Sequence, residues 1–249
     1  MTYLKNKVAL VTGSARGLGR AIAERYGSLG ASVIVNYSTD AKSARDTVAV
    51  IERAGGAAVA IQADMGKVAD IQRLFDVSLE RFGKLDIVVA NAGIEVIDQP
   101  VADFTEEEYD RLFAVNTKGA IFTLQKAGKY VVDNGRIIYV GSSTTVFALP
   151  GCGLYGASKM ASRYIVEVLA KEIGHRGVAV NSILPTAIAN AGVFTNGANA
   201  HIEEWVKSFR PMKRMGTVED VANAAEYLAS DLAAFVSGQH LLLSGGAHT

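Results

Sequence analysis

The 249-residue sequence has one cysteine, no excess of charge of either sign and no long apolar run. Its 25 basic and 25 acidic residues cancel, which argues against a nucleic-acid-binding protein and against a polybasic membrane-surface protein. No apolar run reaches the roughly 18–20 residues of a membrane span, and the N-terminal residues show no secretory signal. Because Cys152 has no second cysteine to pair with, we expect a reducing, cytoplasmic location.

Apolar residues, by contrast, are abundant at 49%, in short β-branched runs that alternate with segments of helical period. The strand predictions are Val8–Val11, Val33–Asn36, Ala58–Gln62, Ile87–Asn91, Arg136–Val140, Val178–Ile183 and Leu241–Leu243. The helix predictions are Leu18–Leu29, Asp40–Ala54, Val68–Phe82, Glu106–Ala127, Leu154–Ile173 and Val218–Leu228. Strands that are apolar throughout should be covered on both faces. The pattern predicts an α/β fold in a single domain, residues 1–249, with a doubly wound parallel sheet of about seven strands, as in the Rossmann fold.

One stretch interrupts this alternation, from Thr186 to about Met215. It is rich in glycine and asparagine at first and then short and amphipathic around His201–Phe209. A long irregular connection in a compact domain is often a lid or a specificity loop, so we expect this one to shape the substrate site. Its basic residues are Lys207, Arg210, Lys213 and Arg214. They could meet an acidic carrier protein, but an ordinary solvated surface explains them equally well.

A glycine-rich turn follows the first predicted strand and leads directly into a helix. Its residues are Gly13, Ser14, Ala15, Arg16, Gly17, Leu18 and Gly19. Glycines tolerate a positive φ and let a ligand approach the backbone, while the helix N-terminus offers free N–H groups and a partial positive charge. Such a pattern alone also occurs in turns that bind nothing. After the first strand of a βαβ unit, however, it predicts a site for the pyrophosphate of a dinucleotide.

The residues after the second predicted strand indicate which dinucleotide is bound. An NAD site usually has an acidic residue there, which binds the ribose 2′-OH. Here Asn36, Tyr37 and Ser38 stand in that place, and the first carboxylate is Asp40. Arg16 in the turn could pair with a 2′-phosphate, and Asn36 and Ser38 could hydrogen-bond it without repulsion. Although Arg16 could also be an ordinary exposed arginine, this charge pattern predicts NADP(H).

A serine, a tyrosine and a lysine form the second constellation. Tyr155 and Lys159 are four residues apart at the start of an apolar helix, so they share a face. Ser142 ends the preceding strand, at the carboxyl edge where ligands of open α/β sheets bind. A lysine ammonium near a phenol favours the phenolate, as a general acid/base requires, and a serine hydroxyl can hold a carbonyl oxygen. A buried aromatic residue beside a solvated lysine is the alternative for Tyr155 and Lys159 taken alone.

With these motifs the chain resembles the classical short-chain dehydrogenases/reductases, over essentially its whole length. The turn from Thr12 to Gly19 matches the family's cofactor turn. Asn91, Ala92 and Gly93 match its Asn-Ala-Gly motif, and Asp64, with Met65 beside it, matches the acidic residue that contacts adenine. The catalytic tetrad of the family is matched by Asn116, Ser142, Tyr155 and Lys159.

The resemblance implies a role for each of these residues. Tyr155 would exchange a proton with the substrate oxygen, and Ser142 would orient and polarise that oxygen. Lys159 would bind the nicotinamide ribose and lower the pKa of Tyr155. Asn116 would kink its helix and hold a water molecule of a proton relay. Asn91 would stabilise the sheet beside the adenosine ribose, and no metal ion is implied.

Two positions depart from the family pattern. Ala90 stands where a second asparagine usually precedes Asn91, and Pro185-Thr186 stands where Pro-Gly is usual. Family members often hold the nicotinamide carboxamide and the pyrophosphate in this second region. Ile188 occupies the place of an expected backbone contact to the carboxamide. We therefore expect Pro185, Thr186 and Ile188 to contact the nicotinamide half of the cofactor.

These observations predict an NADPH-dependent ketone reductase, reversible as an alcohol dehydrogenase, that acts on a small or aromatic ketone. Its apolar pocket would draw on Phe147, Leu149, Phe194, Trp205 and Phe209. Within the family the chain resembles most the 3-oxoacyl-carrier-protein reductases and the polyketide or hydroxynaphthalene ketone reductases, so reduction of a 3-oxoacyl carrier protein or CoA is an alternative. A cofactor-sensing Rossmann protein without catalysis is the non-enzyme alternative, which the intact tetrad disfavours. The resemblance also implies a homotetramer, with interfaces formed by the helices at 106–127 and 154–173 and by the last strand.

Overall fold

The computed structural model describes residues 3–195, 197 and 200–247. Positions 196, 198 and 199 of the predicted specificity loop, and both ends of the predicted domain, lie outside the described residues. The strands are β1 (Val8–Val11), β2 (Ser32–Tyr37), β3 (Ala57–Gln62), β4 (Leu85–Ala90), β5 (Val131–Val140), β6 (Ala179–Pro185) and β7 (His240–Leu243). The α-helices are α1 (Gly17–Ser28), α2 (Ala41–Arg53), α3 (Val68–Phe82), α4 (Glu106–Phe113), α5 (Ala120–Tyr130), α6 (Gly153–Ile173), α7 (Ala200–Phe209) and α8 (Val218–Ala229).

The strands form one seven-stranded sheet in the order β3-β2-β1-β4-β5-β6-β7, with every neighbouring pair parallel. The predicted fold class, a doubly wound parallel sheet of the Rossmann type, is thereby confirmed. Because β1 lies between β2 and β4, the order of the strands reverses there. Such a reversal opens a crevice at the carboxyl ends of the strands, where open α/β sheets bind their ligands.

Apolar side chains cover both faces of the sheet, as the uniform apolarity of the strands predicts. Along β1, Ala9 and Val11 belong to the core with α1 and α8, whereas Val8 and Leu10 belong to the core with α3, α5 and α6. Successive residues of a strand face opposite ways, so both sets are buried. Tyr26 of α1 is fully buried, and its hydroxyl donates to a carbonyl oxygen of α8 at 2.9 Å.

The strand β5 differs from its prediction at its N-terminal end. It begins at Val131 rather than Arg136, and its register with β4 jumps between the pairs Leu85–Val131 and Ile87–Arg136. The extra residues bulge out of the pairing, and Asn134 among them has a φ of 61°. Only the regular part, from Arg136 onward, has the apolar pattern from which the strand was predicted.

The helix predicted at Glu106–Ala127 is present but is not a regular α-helix. A π-helical segment at Ala114–Gly119 joins α4 to α5 without a break. A Cβ atom at Gly119 would lie 2.3 Å from the carbonyl oxygen of Met65, so this close approach requires glycine. π-Helical turns are rare and concentrate at functional sites. This one contains Asn116 and produces the distortion expected at that residue.

None of the helices in the described part of the chain is both long enough and apolar enough to cross a membrane.

Candidate active site

A cavity of about 580 Å³ opens at the carboxyl ends of the strands. It extends from the residues after β2, past the glycine turn, to the first turns of α6. Of the residues predicted to bind the cofactor, those on its lining are Gly13, Arg16, Gly17, Leu18, Gly19, Asn36, Tyr37, Ser38, Asp64, Met65, Asn91, Ala92, Gly93, Tyr155 and Lys159. The fold therefore brings most of the predicted site together in one place.

The glycine turn presents backbone rather than side chains to this cavity. Gly13 and Gly17 have positive φ angles of 61° and 57°, which glycine adopts without strain. A Cβ atom at Gly13 would lie 2.9 Å from the Cα atom of Ala92. The helix α1 has no side-chain cap at Arg16 and no acidic residue in its first turn. Its N-terminal N–H groups and its partial positive charge remain available to an anion.

The Asn-Ala-Gly motif fastens β4 to the glycine turn. The Asn91 side-chain amide donates to the carbonyl oxygens of Thr12 at 2.9 Å and Gly13 at 3.2 Å. The Thr12 hydroxyl in turn accepts from the backbone N–H groups of Asn91 at 2.9 Å and Ala92 at 3.0 Å. These bonds hold the two strand ends on either side of the crevice, which is consistent with the stabilising role implied for Asn91.

Two of the predicted cofactor contacts are directed into the protein instead. Ser14 is buried, and its hydroxyl donates to Val11 and accepts from the N–H of Asn36. The Asn36 amide accepts from the N–H of Gly13 at 2.9 Å and donates to the carbonyl oxygen of Ala63 at 3.1 Å. The side chain of Asn36 therefore holds the turn, in contrast to the hydrogen bond to a 2′-phosphate expected from the sequence.

Polar groups that do face solvent at this end of the cavity come from Arg16 and Ser38, which are both exposed. The pKa of the Asp40 carboxyl lies below its usual range, chiefly because Ser43 donates hydrogen bonds to it and to a smaller extent because of the charge of Arg16. Arg16 and its positive charge are thus near the end of β2, where the sequence predicted an interaction with a 2′-phosphate.

The residues after β3 lie on the same rim. Asp64 accepts a hydrogen bond from the N–H of Gly66 at 2.9 Å and forms an ion pair with Lys67 at 3.5 Å. Met65 is almost fully buried beside it. Both residues line the cavity, at the place predicted for the adenine ring.

At the other end of the cavity, Tyr155 and Lys159 lie on the first turns of α6, and both are more than nine-tenths buried. The Lys159 Nζ atom is 5.9 Å from the centre of the Tyr155 ring. Ser142, at the end of β5, accepts hydrogen bonds from the hydroxyl of Thr144 at 2.9 Å and from its N–H at 3.2 Å. These bonds orient the Ser142 hydroxyl, which interacts with the Tyr155 hydroxyl.

Asn116 connects three segments around this group. Its side-chain oxygen accepts from the N–H of Ile94 at 2.8 Å, and its amide donates to the Ile94 carbonyl at 2.8 Å and to Ser158 at 3.0 Å. The side chain therefore ties the segment after β4 to α6, on which Tyr155 lies. Gly93 leaves room for the side chains of Asn116 and Lys159, because a Cβ atom there would lie 3.2 Å from the Asn116 Oδ1 atom and 2.7 Å from the Lys159 Nζ atom.

Burial governs the ionisation of the catalytic pair. It raises the pKa of Tyr155 well above its ordinary value, and the Glu95 carboxylate adds to this, whereas the hydrogen bond from Ser142 acts in the opposite direction. Burial lowers the pKa of Lys159 to about 8, although Glu95 opposes that change. The net direction is thus opposite to the lowering expected from Lys159, because the effect of burial on the Tyr155 pKa dominates. At neutral pH the phenol keeps its proton.

Glu95 is a residue of this site that the sequence analysis missed. The Tyr155 hydroxyl donates to its Oε1 atom at 3.4 Å, and the N–H of Val193 donates to its Oε2 atom at 2.7 Å. A carboxylate two residues beyond the Asn-Ala-Gly motif, at the same edge of the sheet, was the available signal. Nothing in the sequence, however, placed the loop that contains Val193 against it.

The segment at the end of β6 was expected to contact the nicotinamide half of the cofactor, but its residues lie away from the cavity. Pro185, Thr186 and Ile188 are not among the described residues that line the cavity. The Thr186 hydroxyl donates to Leu243 at 3.1 Å, and Ile188 is buried and pairs with Gly216. These residues anchor the base of the loop to β7 and to the segment before α8. The loop residues that do line the cavity are Gly192, Val193 and Thr195.

Three of the four basic residues of the loop are buried or paired, and the fourth, Lys213, is exposed and donates to the Ser208 carbonyl oxygen at 3.4 Å. Arg210 is 2% exposed and donates to backbone carbonyl oxygens. Arg214 forms a two-pronged ion pair with Asp220, with N–O distances of 2.6 and 3.0 Å. Lys207 pairs with Glu203 at 3.4 Å. The structure therefore gives no support to a docking site for an acidic carrier protein at these residues.

Comparison with known proteins agrees with this geometry. The family model described as enoyl-(acyl carrier protein) reductase matches residues 13–248. The hydroxynaphthalene reductase-like protein Arp2 of Metarhizium acridum is 38% identical, covering 99% of this chain and 96% of that protein. The short chain dehydrogenase/reductase nsrJ of Aspergillus novofumigatus is 40% identical, and the match covers 98% of this chain and 96% of that protein. The crystal structure of the landomycin C-6 ketoreductase LanV, with bound NADP and rabelomycin, superposes with a TM-score of 0.88 at 35% identity, covering 99% of this chain and 98% of that one.

Proposed function

This chain belongs to the short-chain dehydrogenase/reductase family, and from that premise we propose that it reduces a ketone with NADPH and runs in reverse as an alcohol dehydrogenase. It is an oxidoreductase that uses NADP(H) and acts on carbonyl groups. The observation that carries the assignment is the buried Tyr155 beside Ser142 and Lys159 at the end of a dinucleotide-sized cavity. A protein that only sensed the cofactor would have no need for this proton donor.

The cavity fits NADP(H) in shape and in charge. A volume of about 580 Å³ is in the range of small-molecule sites, and the turn at Gly13 and Gly17 offers bare backbone to a pyrophosphate. The residues that would hold the pyrophosphate are in this turn and at the start of α1. Arg16 and Ser38 would bind the 2′-phosphate, and Asp64 would contact adenine. Lys159 would bind the nicotinamide ribose.

The protein's own groups account for the proton chemistry. Ser142 and Tyr155 would donate hydrogen bonds to the ketone oxygen and polarise the carbonyl. The carbonyl carbon would receive the hydride that NADPH, when bound, can supply. Tyr155 then gives the proton of its hydroxyl to the oxygen, and the positive charge of Lys159 stabilises the phenolate that remains. Asn116 keeps Tyr155 in place by linking the start of α6 to the segment after β4.

We infer that the substrate is an aromatic or polycyclic ketone. Support comes from the relatives, which include a hydroxynaphthalene reductase-like protein and a ketoreductase crystallised with rabelomycin. Trp205 and Phe209 of α7 have exposed rings 4.8 Å apart, which are available to an aromatic ligand although neither residue is on the lining of the cavity. A carrier-protein-bound substrate is less well supported, because three of the four basic residues considered for its docking are buried or paired with carboxylates, and only Lys213 of the four is exposed without an ion pair.

We also propose a single catalytic domain over residues 1–249 that assembles as a homotetramer in the cytoplasm. Family resemblance and exposed apolar side chains support the assembly, and the lone Cys152 supports a reducing compartment.

The activity is tested with a panel of monocyclic and bicyclic aromatic ketones and NADPH, followed by the loss of NADPH absorbance. We expect turnover with at least one bicyclic ketone and oxidation of the matching alcohol by NADP⁺. Binding of NADPH without turnover of any ketone in the panel would contradict the proposed function.

A further inference from the structure

The carboxylate of Glu95 lies beside the atom that would donate the catalytic proton. Its Oε1 atom is 3.4 Å from the Tyr155 hydroxyl, and the side chain lines the cavity. None of the roles assigned to the tetrad uses this carboxylate. An ionised carboxylate accepts hydrogen bonds and cannot donate them, so it can neither protonate a ketone oxygen nor hold one.

The loop fixes the orientation of this carboxylate. The Val193 N–H donates to Oε2 at 2.7 Å, which leaves Oε1 directed toward Tyr155. Gly192 has a φ of 56°, and a Cβ atom there would lie 2.5 Å from Oε2. The turn therefore forms a backbone cradle that a side chain would fill. A carboxylate held in this way presents one oxygen to the reacting centre.

Binding of a ketone changes the partners of Oε1. The ketone oxygen must accept the hydrogen bond of the Tyr155 hydroxyl. The Oε1 atom of Glu95 then loses the hydrogen bond that this hydroxyl donates to it. A carboxylate oxygen and a carbonyl oxygen that lie near the same hydroxyl repel each other unless a hydrogen atom lies between them. A hydroxyl group of the substrate can supply that hydrogen atom. It would stand on the carbon atom two bonds from the carbonyl carbon, which places it near both the ketone oxygen and Oε1. An acidic group at this position would instead be repelled by Glu95.

We propose that Glu95 selects ketones that carry a hydroxyl group beside the reacting carbonyl, by accepting a hydrogen bond from that hydroxyl through Oε1. This inference rests on the proposed reductase function and specifies its substrate class: β-hydroxy ketones and aromatic ketones with a hydroxyl group in the peri position. It makes Glu95 a specificity-determining residue beside the tetrad.

The test compares α-tetralone with its peri-hydroxylated derivative in the wild type and in Glu95→Gln. Glutamine keeps the size of the side chain and can still accept from Val193, but it has no charge. Asp98→Asn is the matched control, because Asp98 is an exposed carboxylate of the same segment that does not line the cavity. The measured quantity is the ratio of kcat/KM for the hydroxylated ketone to that for α-tetralone.

A hydrogen bond to a charged group changes affinity by roughly tenfold or more. We therefore expect the ratio to fall by about tenfold or more in Glu95→Gln and to stay at the wild-type value in Asp98→Asn. An unchanged ratio in Glu95→Gln, or an equal fall in both variants, would overturn the proposal.

Calorimetric titration of both ketones into the NADP⁺-loaded proteins separates this inference from the proposed function. Selective binding of the hydroxylated ketone that Glu95→Gln abolishes, without turnover of either ketone, would contradict the reductase assignment and support the role of Glu95. Turnover of both ketones, with no difference in affinity between the wild type and Glu95→Gln, would support the reductase assignment and contradict the role of Glu95.

Discussion

Individual residues of the active site owe their chemistry to burial. Tyr155 is 7% exposed and Lys159 is 4% exposed, in a region where the side chain of Glu95 carries the nearby negative charge. Burial disfavours the charged form of each group, so the phenol stays neutral and the ammonium becomes easier to deprotonate. For ketone reduction this is the useful combination, because the tyrosine must start with its proton.

The ionisation of Lys159 predicts how cofactor use depends on pH. Its pKa is lowered to about 8, so the ammonium is intact below this pH and is lost as the pH rises through it. We expect kcat/KM for NADPH, which reports ionisations of the free enzyme, to fall as the pH rises through about 8. Glu95 raises the pKa of Lys159, so Glu95→Gln should move this fall to lower pH. A profile that stays flat up to the ordinary lysine pKa of about 10.4 would contradict this assignment.

The sequence identified Ser142, Tyr155 and Lys159 because their spacing along a strand end and a helix face is visible without coordinates. It did not identify Glu95, because the contact with the loop joins residues far apart in the chain. For Asn36 the sequence predicted a contact with the cofactor that its side chain is not placed to make. The sequence placed a polar side chain at the correct edge of the sheet but could not show that the short amide turns inward to hold the backbone.

Among the secondary-structure elements, the junction of β1 and α1 is where we expect the pyrophosphate of the cofactor to bind. The strand ends where the positive φ of Gly13 turns the chain, and α1 begins at Gly17 with its first N–H groups uncapped by side chains. Arg16, between them, adds the one full positive charge of this turn. Since Asn36 and Ser14 are engaged in holding the turn, we expect discrimination between phosphorylated and unphosphorylated ribose to depend mainly on Arg16.

This arrangement predicts the effect of Arg16→Ala. A charge-assisted hydrogen bond contributes roughly 1.5–3 kcal/mol, so the wild type should favour NADPH over NADH by about tenfold or more in kcat/KM. Arg16→Ala should narrow that ratio by weakening NADPH, since NADH has no 2′-phosphate. Arg20→Ala is the control, because Arg20 lies in the first turns of α1, close to Arg16 in sequence, and pairs with Glu24. A wild-type preference for NADH, or equal ratios in both variants, would argue against a 2′-phosphate site at Arg16.

The sequence predicted the ends of a strand or helix correctly where the apolar pattern extends over the whole element. The predicted limits of β1 and α3 agree with the structure at both ends. The π-helical segment at Ala114–Gly119 had no such pattern, because its cause is the approach of Gly119 to the Met65 carbonyl. Long-range contacts of this kind modify local structure without leaving a periodic signal in the sequence.

On the scale of the whole molecule, two of the regions that expose apolar side chains concern assembly. Tyr109 of α4 and Tyr164 of α6 are 47% and 65% exposed, and Leu232 and Phe235, before β7, are 78% and 104% exposed. Clustered exposed apolar groups usually mark interaction surfaces. Their positions on the predicted interface helices and near the last strand support assembly through two surfaces.

We therefore expect a homotetramer in solution. Light scattering of the purified protein at micromolar concentration should give about four times the chain mass of 26.3 kDa. Phe235→Glu places a charge in one of the two proposed surfaces and should reduce the mass to that of a smaller species, because a buried unpaired charge is costly. A wild-type protein that remains monomeric would contradict the proposal, as would a Phe235→Glu variant of unchanged mass.

We propose that Tyr155 donates the proton in an NADPH-dependent ketone reduction, and the variant Tyr155→Phe removes this proton. This substitution keeps the ring and removes only the hydroxyl, so NADPH should bind with wild-type affinity in a fluorescence titration. Loss of a general acid typically costs 10²–10⁴-fold, and kcat for a ketone that the wild type reduces should fall by at least about 10²-fold. A variant that binds NADPH and still reduces that ketone at nearly the wild-type rate would contradict the account.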